Sequence, residues 1–179
     1  MEKKQSLLAN ALIFGALTGV TLIILSGILN MTNNAESPAR YLGLLLLAAG
    51  IVIGTLNYRD KIQGGYAGFG KCLSTGVLIS LMAGVLAAIF VFVYMTYINP
   101  GMIEQMMEKV QAQWEKQGLT SEQIEQASSM AKRFMGPGIM TVFTVIGYGI
   151  MGTIIALIAS AFIKKDPPLF NNSLDQPLQ

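Results

Sequence analysis

The stretch whose spacing comes nearest to a chemical motif is Gly64-Gly65-Tyr66-Ala67-Gly68-Phe69-Gly70-Lys71-Cys72, which contains Gly65-x4-Gly70-Lys71. That is one residue short of a nucleotide-binding P-loop, where backbone amides cradle phosphates and a Ser or Thr after the lysine holds magnesium. Cys72 occupies that last position, and the stretch lies between two apolar segments instead of between a strand and a soluble helix. A phosphate-binding role is rejected on both grounds. The plainer reading places Tyr58, Tyr66 and Phe69 as interfacial anchors, with Arg59, Lys61 and Lys71 turned to lipid phosphates.

Other reactive groups are sparse. Ser26, Ser74, Ser80 and Ser160 are potential nucleophiles, but the chain has no His and its apolar segments hold no Asp, Glu or Lys to act as base. Glu104 and Glu108 share a helix face, as do Glu122 and Glu125, and a solvated face explains both pairs. With Cys72 as the single cysteine, an intramolecular disulfide is excluded, and zinc, haem and iron–sulfur centres lack ligands. The expectation is therefore no metal, no cofactor and no catalysis. A net charge of +2 without a basic run also removes nucleic acid as a partner.

What the chain does contain is four uncharged stretches, residues 7–31, 41–57, 72–98 and 135–163. Each approaches or exceeds the ~20 residues that cross a bilayer's hydrocarbon core. All 12 Lys/Arg and all 10 Asp/Glu fall in the ends and connections. The fold class expected is all-α: a polytopic membrane protein with four transmembrane helices as one membrane domain over residues 1–165. Residues 166–179, polar and proline-bearing, are read as a disordered cytoplasmic tail. The apolar run after Met1-Glu2-Lys3-Lys4 is too long for a signal-peptide core and reads as an uncleaved first helix.

Small residues recur at four-residue spacing in every span. They are Ala11, Gly15 and Gly19; Gly50 and Gly54; Cys72, Gly76, Ser80, Gly84 and Ala88; and Gly152, Ala156 and Ser160. Such rows stack on one helix face and let another backbone approach closely. Packing within the chain is the first reading, and self-association into a homo-oligomer the second. Tyr148, between Gly147 and Gly149, needs a partner for its hydroxyl, with Thr75, Ser80 or Thr144 as candidates.

Lys and Arg in short connections set orientation. Lys3, Lys4, Arg59, Lys61, Lys71, Lys164 and Lys165 share one side. Arg40, Lys109, Lys116, Lys132 and Arg133 share the other, where five glutamates offset the long loop's cations. Both termini are expected in the cytoplasm and the loop of residues 100–134 outside.

That loop reads as a helical hairpin. Asn99-Pro100 supplies a start, Ile103, Met106, Met107, Val110 and Trp114 form an apolar stripe, and Gly118 supplies a stop. Thr120 and Gln123 form a second start with a capping box, followed by Ile124, Ala127, Met130, Ala131 and Phe134. Three roles fit it: a lid on the spans, a protein-docking surface centred on Met106, Val110 and Trp114, or a lipid-surface element.

Arg59-Asp60-Lys61, Gly64-Gly65-Tyr66, Phe69-Gly70-Lys71, the Asn-Pro exit from span three, the joint from Gly118 to Ile124 and Lys164-Lys165 together resemble a bacterial family of four-span membrane proteins of unknown function. The resemblance covers about residues 3–165 and implies the architecture without an activity. The function expected is that of a non-catalytic accessory, assembly or partner-binding component of the bacterial inner membrane, in contact with the bilayer and a membrane-protein partner. The alternative is a small-solute transporter or channel acting as a homo-oligomer.

Overall fold

A computed structural model describes residues 6–32, 38 and 41–166. Lys3, Lys4 and Arg40, used above for orientation, and the tail from Pro167 onward lie outside the described residues. Among the described residues six α-helices follow one another: α1 (Leu7–Met31), α2 (Tyr41–Asn57), α3 (Phe69–Val93), α4 (Met102–Lys116), α5 (Ser121–Phe134) and α6 (Pro137–Ile163). Wider π turns extend α2 over Tyr58–Ile62 and α3 over Tyr94–Ile98. Among the described residues there is no strand, only an isolated antiparallel bridge between Ala67 and Lys165.

With those extensions, α1, α2, α3 and α6 are all long and apolar enough to cross a membrane. The chain is an integral, multi-pass membrane protein. Its helices satisfy their own backbone groups, as hydrocarbon requires. Several hydroxyls at that depth bond back one turn: Thr18 to the Phe14 carbonyl, Thr75 to Lys71, Thr144 to Met140 and Thr153 to Gly149. The buried hydroxyls of Thr55 and Ser160 have no partner among the described residues.

α3 is the central helix. It packs most extensively on α6, next on α1, and also on α2. The small-residue rows mark where these helices touch. A Cβ built on Gly76 would stand 2.7 Å from Ala156 Cβ and one on Gly84 2.7 Å from Tyr148 Cβ, while one on Gly152 would overlap the Ser80 side chain. This is an antiparallel register that advances four residues at a time. Along α1 the register is parallel: Gly15 lies against Ile79 and Met82, and Gly19 against Ala83 and Leu86. Gly50 receives Thr18, and Gly54 sits between Ile79 and Phe14. The core that results is small and dense, built on Ala11, Ile51, Ile79, Ala83 and Ala156, none more than 1% exposed. Close approach without bulk is how helices gain dispersion energy where lipid offers no hydrophobic drive.

α4 and α5 form the hairpin, and their contacts are chiefly with each other. Met107 is buried, and Gln111 Nε2 donates to Ser128 Oγ at 2.8 Å across the pair. α4 starts two residues later than the Asn-Pro signal suggests. Gly101 is its N-cap, while Asn99 closes the preceding π turn and its carbonyl accepts from Met102 N. At the other end Gly118 has φ +82°, with Gly118 N bonded to the Glu115 carbonyl and Leu119 N to that of Trp114. That is a complete Schellman stop, which needs a residue without a side-chain penalty at positive φ. Thr120 and Gln123 then form the reciprocal capping box of α5, at 3.4 and 3.0 Å.

Candidate functional site

Two regions of the spans carry polar groups worth chemical attention, and they sit at opposite ends. The first is the basic end, where α2 stops, α3 starts and α6 stops. Gly64 and Gly65 have φ of +68° and +93°, values that L side chains resist, and they turn the chain back so that Gly65 N bonds the Arg59 carbonyl at 2.8 Å. The strand-like residues that follow meet the end of α6, with Lys165 N donating to the Ala67 carbonyl at 3.0 Å.

Arg59 fastens this clasp. Its Nη1 donates to the Ile163 carbonyl at 2.9 Å, while Nε and Nη2 hold Asp60 in a two-point ion pair at 2.6 and 3.1 Å. A cation on the last carbonyls of α6 meets both an orphan acceptor and the negative end of the helix dipole. Tyr58 is 3% exposed and accepts from Gln63 Nε2, whose amide oxygen accepts from Lys71 Nζ. Lys165 Nζ stands 5.3 Å from the Tyr66 ring centre, within cation–π range. The interfacial reading is corrected for two of these residues: Tyr58 is inside, and Arg59 bonds the Ile163 carbonyl and Asp60, while Tyr66, Phe69, Lys61 and Lys71 are exposed. Cys72 is fully buried, and its thiol points to the Ala67 carbonyl at 3.6 Å.

Just beneath lies a polar layer. Asn10 Nδ2 donates to the Gly54 carbonyl at 2.9 Å, joining α1 to α2, and Asn10, Thr55, Thr75 and Ser160 are each no more than 1% exposed. The sequence reading passed over Asn10. The signal available was an amide side chain inside an otherwise apolar run, which at that depth must find a partner.

The second region surrounds Tyr148, toward the hairpin end. Tyr148 rests on Gly84, and three cavities meet at its ring. The largest, about 370 Å³, opens between α2 and α6. Thr75, Ser80 and Thr144 each donate to a carbonyl of their own helix, at Lys71, Val77 and Met140, and none of the three expected partners is hydrogen-bonded to Tyr148. Among the described residues its hydroxyl has no hydrogen-bond partner.

The hairpin places Met106, Val110 and Trp114 on α4, all half-buried where α4 and α5 pack together. Its outward apolar groups are Met130 and Phe134, 65% and 59% exposed, beyond Tyr97 and Ile98 at the end of α3's run. Among the described residues no three His, Cys, Asp or Glu side chains are grouped to hold a metal ion.

No curated protein and no solved structure matches the chain. Residues 10–165 match DUF4199, a family described as proteins of unknown function. That match runs from the first turn of α1 to the clasp at Lys165, and the chain therefore belongs to the DUF4199 family.

Proposed function

We propose that this chain is a non-catalytic component of a bacterial inner membrane whose α4–α5 hairpin, outside the cytoplasm, docks another membrane protein. The observation that supports docking over a lid is the hairpin's independence. Its two helices pack chiefly on each other, its caps come from its own residues, and its contacts with the spans are few. A lid would bury its apolar face on the helix ends. This hairpin instead leaves Met130 and Phe134 uncovered beside the membrane, and adaptable Met and aromatic side chains suit a protein partner.

Orientation is supported by the five cations Arg59, Lys61, Lys71, Lys164 and Lys165 gathered at the clasped end, the side that the positive-inside rule assigns to the cytoplasm. The four hairpin cations are offset by Glu104, Glu108, Glu115, Glu122 and Glu125.

The experiment is site-specific photo-crosslinking from Met130 and Phe134 in native membranes, read by mass spectrometry. A discrete adduct with one other membrane protein is expected, and adducts with lipid alone would overturn the docking role. For orientation, Ser129→Cys is exposed while native Cys72 is buried, so labelling by an impermeant thiol reagent in spheroplasts reports the hairpin without background. Labelling only after permeabilisation would invert the topology.

A further inference from the structure

The crevice at Tyr148 is an opening at hydrocarbon depth. Tyr148 lies fifteen residues before Ile163, which puts it about 22 Å from the clasped end along a core ~30 Å thick. Gly43 on α2 stands level with it, and both cavities that join α2 to its neighbours are walled partly by this glycine. The ~370 Å³ space between α2 and α6 is lined by Leu44, Leu47, Phe143 and Met151 and has glycines at both edges, Gly43 and Gly147. A Cβ on Gly147 would meet nothing within 4 Å. From Tyr148 a second space of about 150 Å³ continues along α1 past Ser26 to Asn30, toward the membrane surface. The walls thus change from apolar to polar in the direction of the headgroups, and no charged side chain lines either space.

The geometry points to a bound lipid: the crevice takes one ester-linked acyl chain of a glycerophospholipid from the leaflet at the hairpin end, with Tyr148 donating a hydrogen bond to its ester carbonyl. Three observations select this occupant. An opening between membrane-spanning helices at this depth faces hydrocarbon, so an acyl chain is the body already at its mouth. A tyrosine on a helix leans toward the helix N-terminus, which for α6 is the hairpin end, so the hydroxyl is carried toward the level of the ester groups. That hydroxyl is a free donor, and an ester carbonyl offers acceptors only. The space lies in the size range of ligand pockets, about 300–1,000 Å³. This site is independent of the docking role proposed for the hairpin.

The test uses the full chain in liposomes that contain a trace of phosphatidylglycerol bearing a diazirine near the carboxyl end of one acyl chain, and labelled peptides are mapped. Labelling is expected to concentrate on the α6 segment Phe143–Met151 and on Leu44–Leu47, with little at Phe162, which is 85% exposed to lipid. Gly147→Trp, which fills the mouth, should lower labelling there about tenfold, a loss of the whole contact. Tyr148→Phe keeps the ring on Gly84 and should lower it about fivefold, the scale of one hydrogen bond. That second loss should vanish when the probe is an ether-linked analogue without carbonyls. Even labelling around the helices, or no response to Gly147→Trp, would overturn the proposal. An equal Tyr148→Phe effect on ester and ether probes would remove the hydrogen bond from it. Disulfide formation between copies of a Leu44→Cys variant would show a second protein chain in the crevice and overturn it as well.

Discussion

Along α6 the membrane region divides in two. From Gly152 to Ile163 the helix buries Gly152, Ala156, Ala159, Ser160 and Ile163; from Pro137 to Met151 it buries none. α1 divides likewise, with buried positions up to Leu22 and none from Ile23 to Asn30. On these two helices the clasped half is closed and the hairpin half is open, while α3 stays buried at Ala87 and Ala88. The change falls where the packing row on α6 stops being small. Ser80 meets Gly152 and Gly76 meets Ala156, but the next step up brings Tyr148 onto Gly84. Small on small lets backbones touch; Tyr148 rests on Gly84 and lines the spaces left beside α1 and α2. The crevice thus begins where a large residue enters the row of small ones.

Changes in the closed half should therefore cost far more than the same changes in the open half. Gly76→Ile puts a branched side chain against Ala156 and Ile51 and is expected to lower stability by about 3 kcal/mol, the upper range of overpacking. Thermal or SDS unfolding of the purified protein measures it, and a loss below that of an open-half substitution would break the comparison. Arg59→Gln removes the cation from the Ile163 carbonyl and should cost about 1–2 kcal/mol, read as faster amide exchange at the end of α6. Unchanged exchange there would mean the clasp is ornamental. Thr120→Ala deletes the capping box and should cost about 1 kcal/mol in α5 alone. Exchange rates in α1 and α3 should stay the same; if they rise, the hairpin is coupled to the spans. Gly147→Ile, with nothing near its Cβ, should change stability by less than about 0.5 kcal/mol. A larger loss would show that the crevice is closed in the membrane.

The four spans were legible from charge alone, because an ion at membrane depth is costly and the chain has none there. The hairpin was legible for a related reason: caps and stops such as Thr120, Gln123 and Gly118 act over three or four residues, the range a sequence displays. The contacts of the small rows were visible as stripes but not as pairs, since a four-residue repeat fits any other four-residue repeat. What stayed hidden depends on distant partners. Arg59 reads as a lipid-facing cation until Ile163 is placed beside it, and Tyr148 reads as a tyrosine seeking Thr144 until that hydroxyl is seen bonding Met140. Asn10 gave one visible hint, but only the structure supplies Gly54 as its acceptor.

The bond between Arg59 and Ile163 spans 104 residues of sequence, which sets an order of events during biosynthesis. At a translation rate of about 5–20 residues per second, the guanidinium emerges roughly 5–20 s before its acceptor exists. Asp60, adjacent in the chain, is available from the start and can neutralise the charge during that wait. α6 thus carries the catch for the Arg59 latch, and a nascent chain stalled before Ile163 would be inserted yet unfastened.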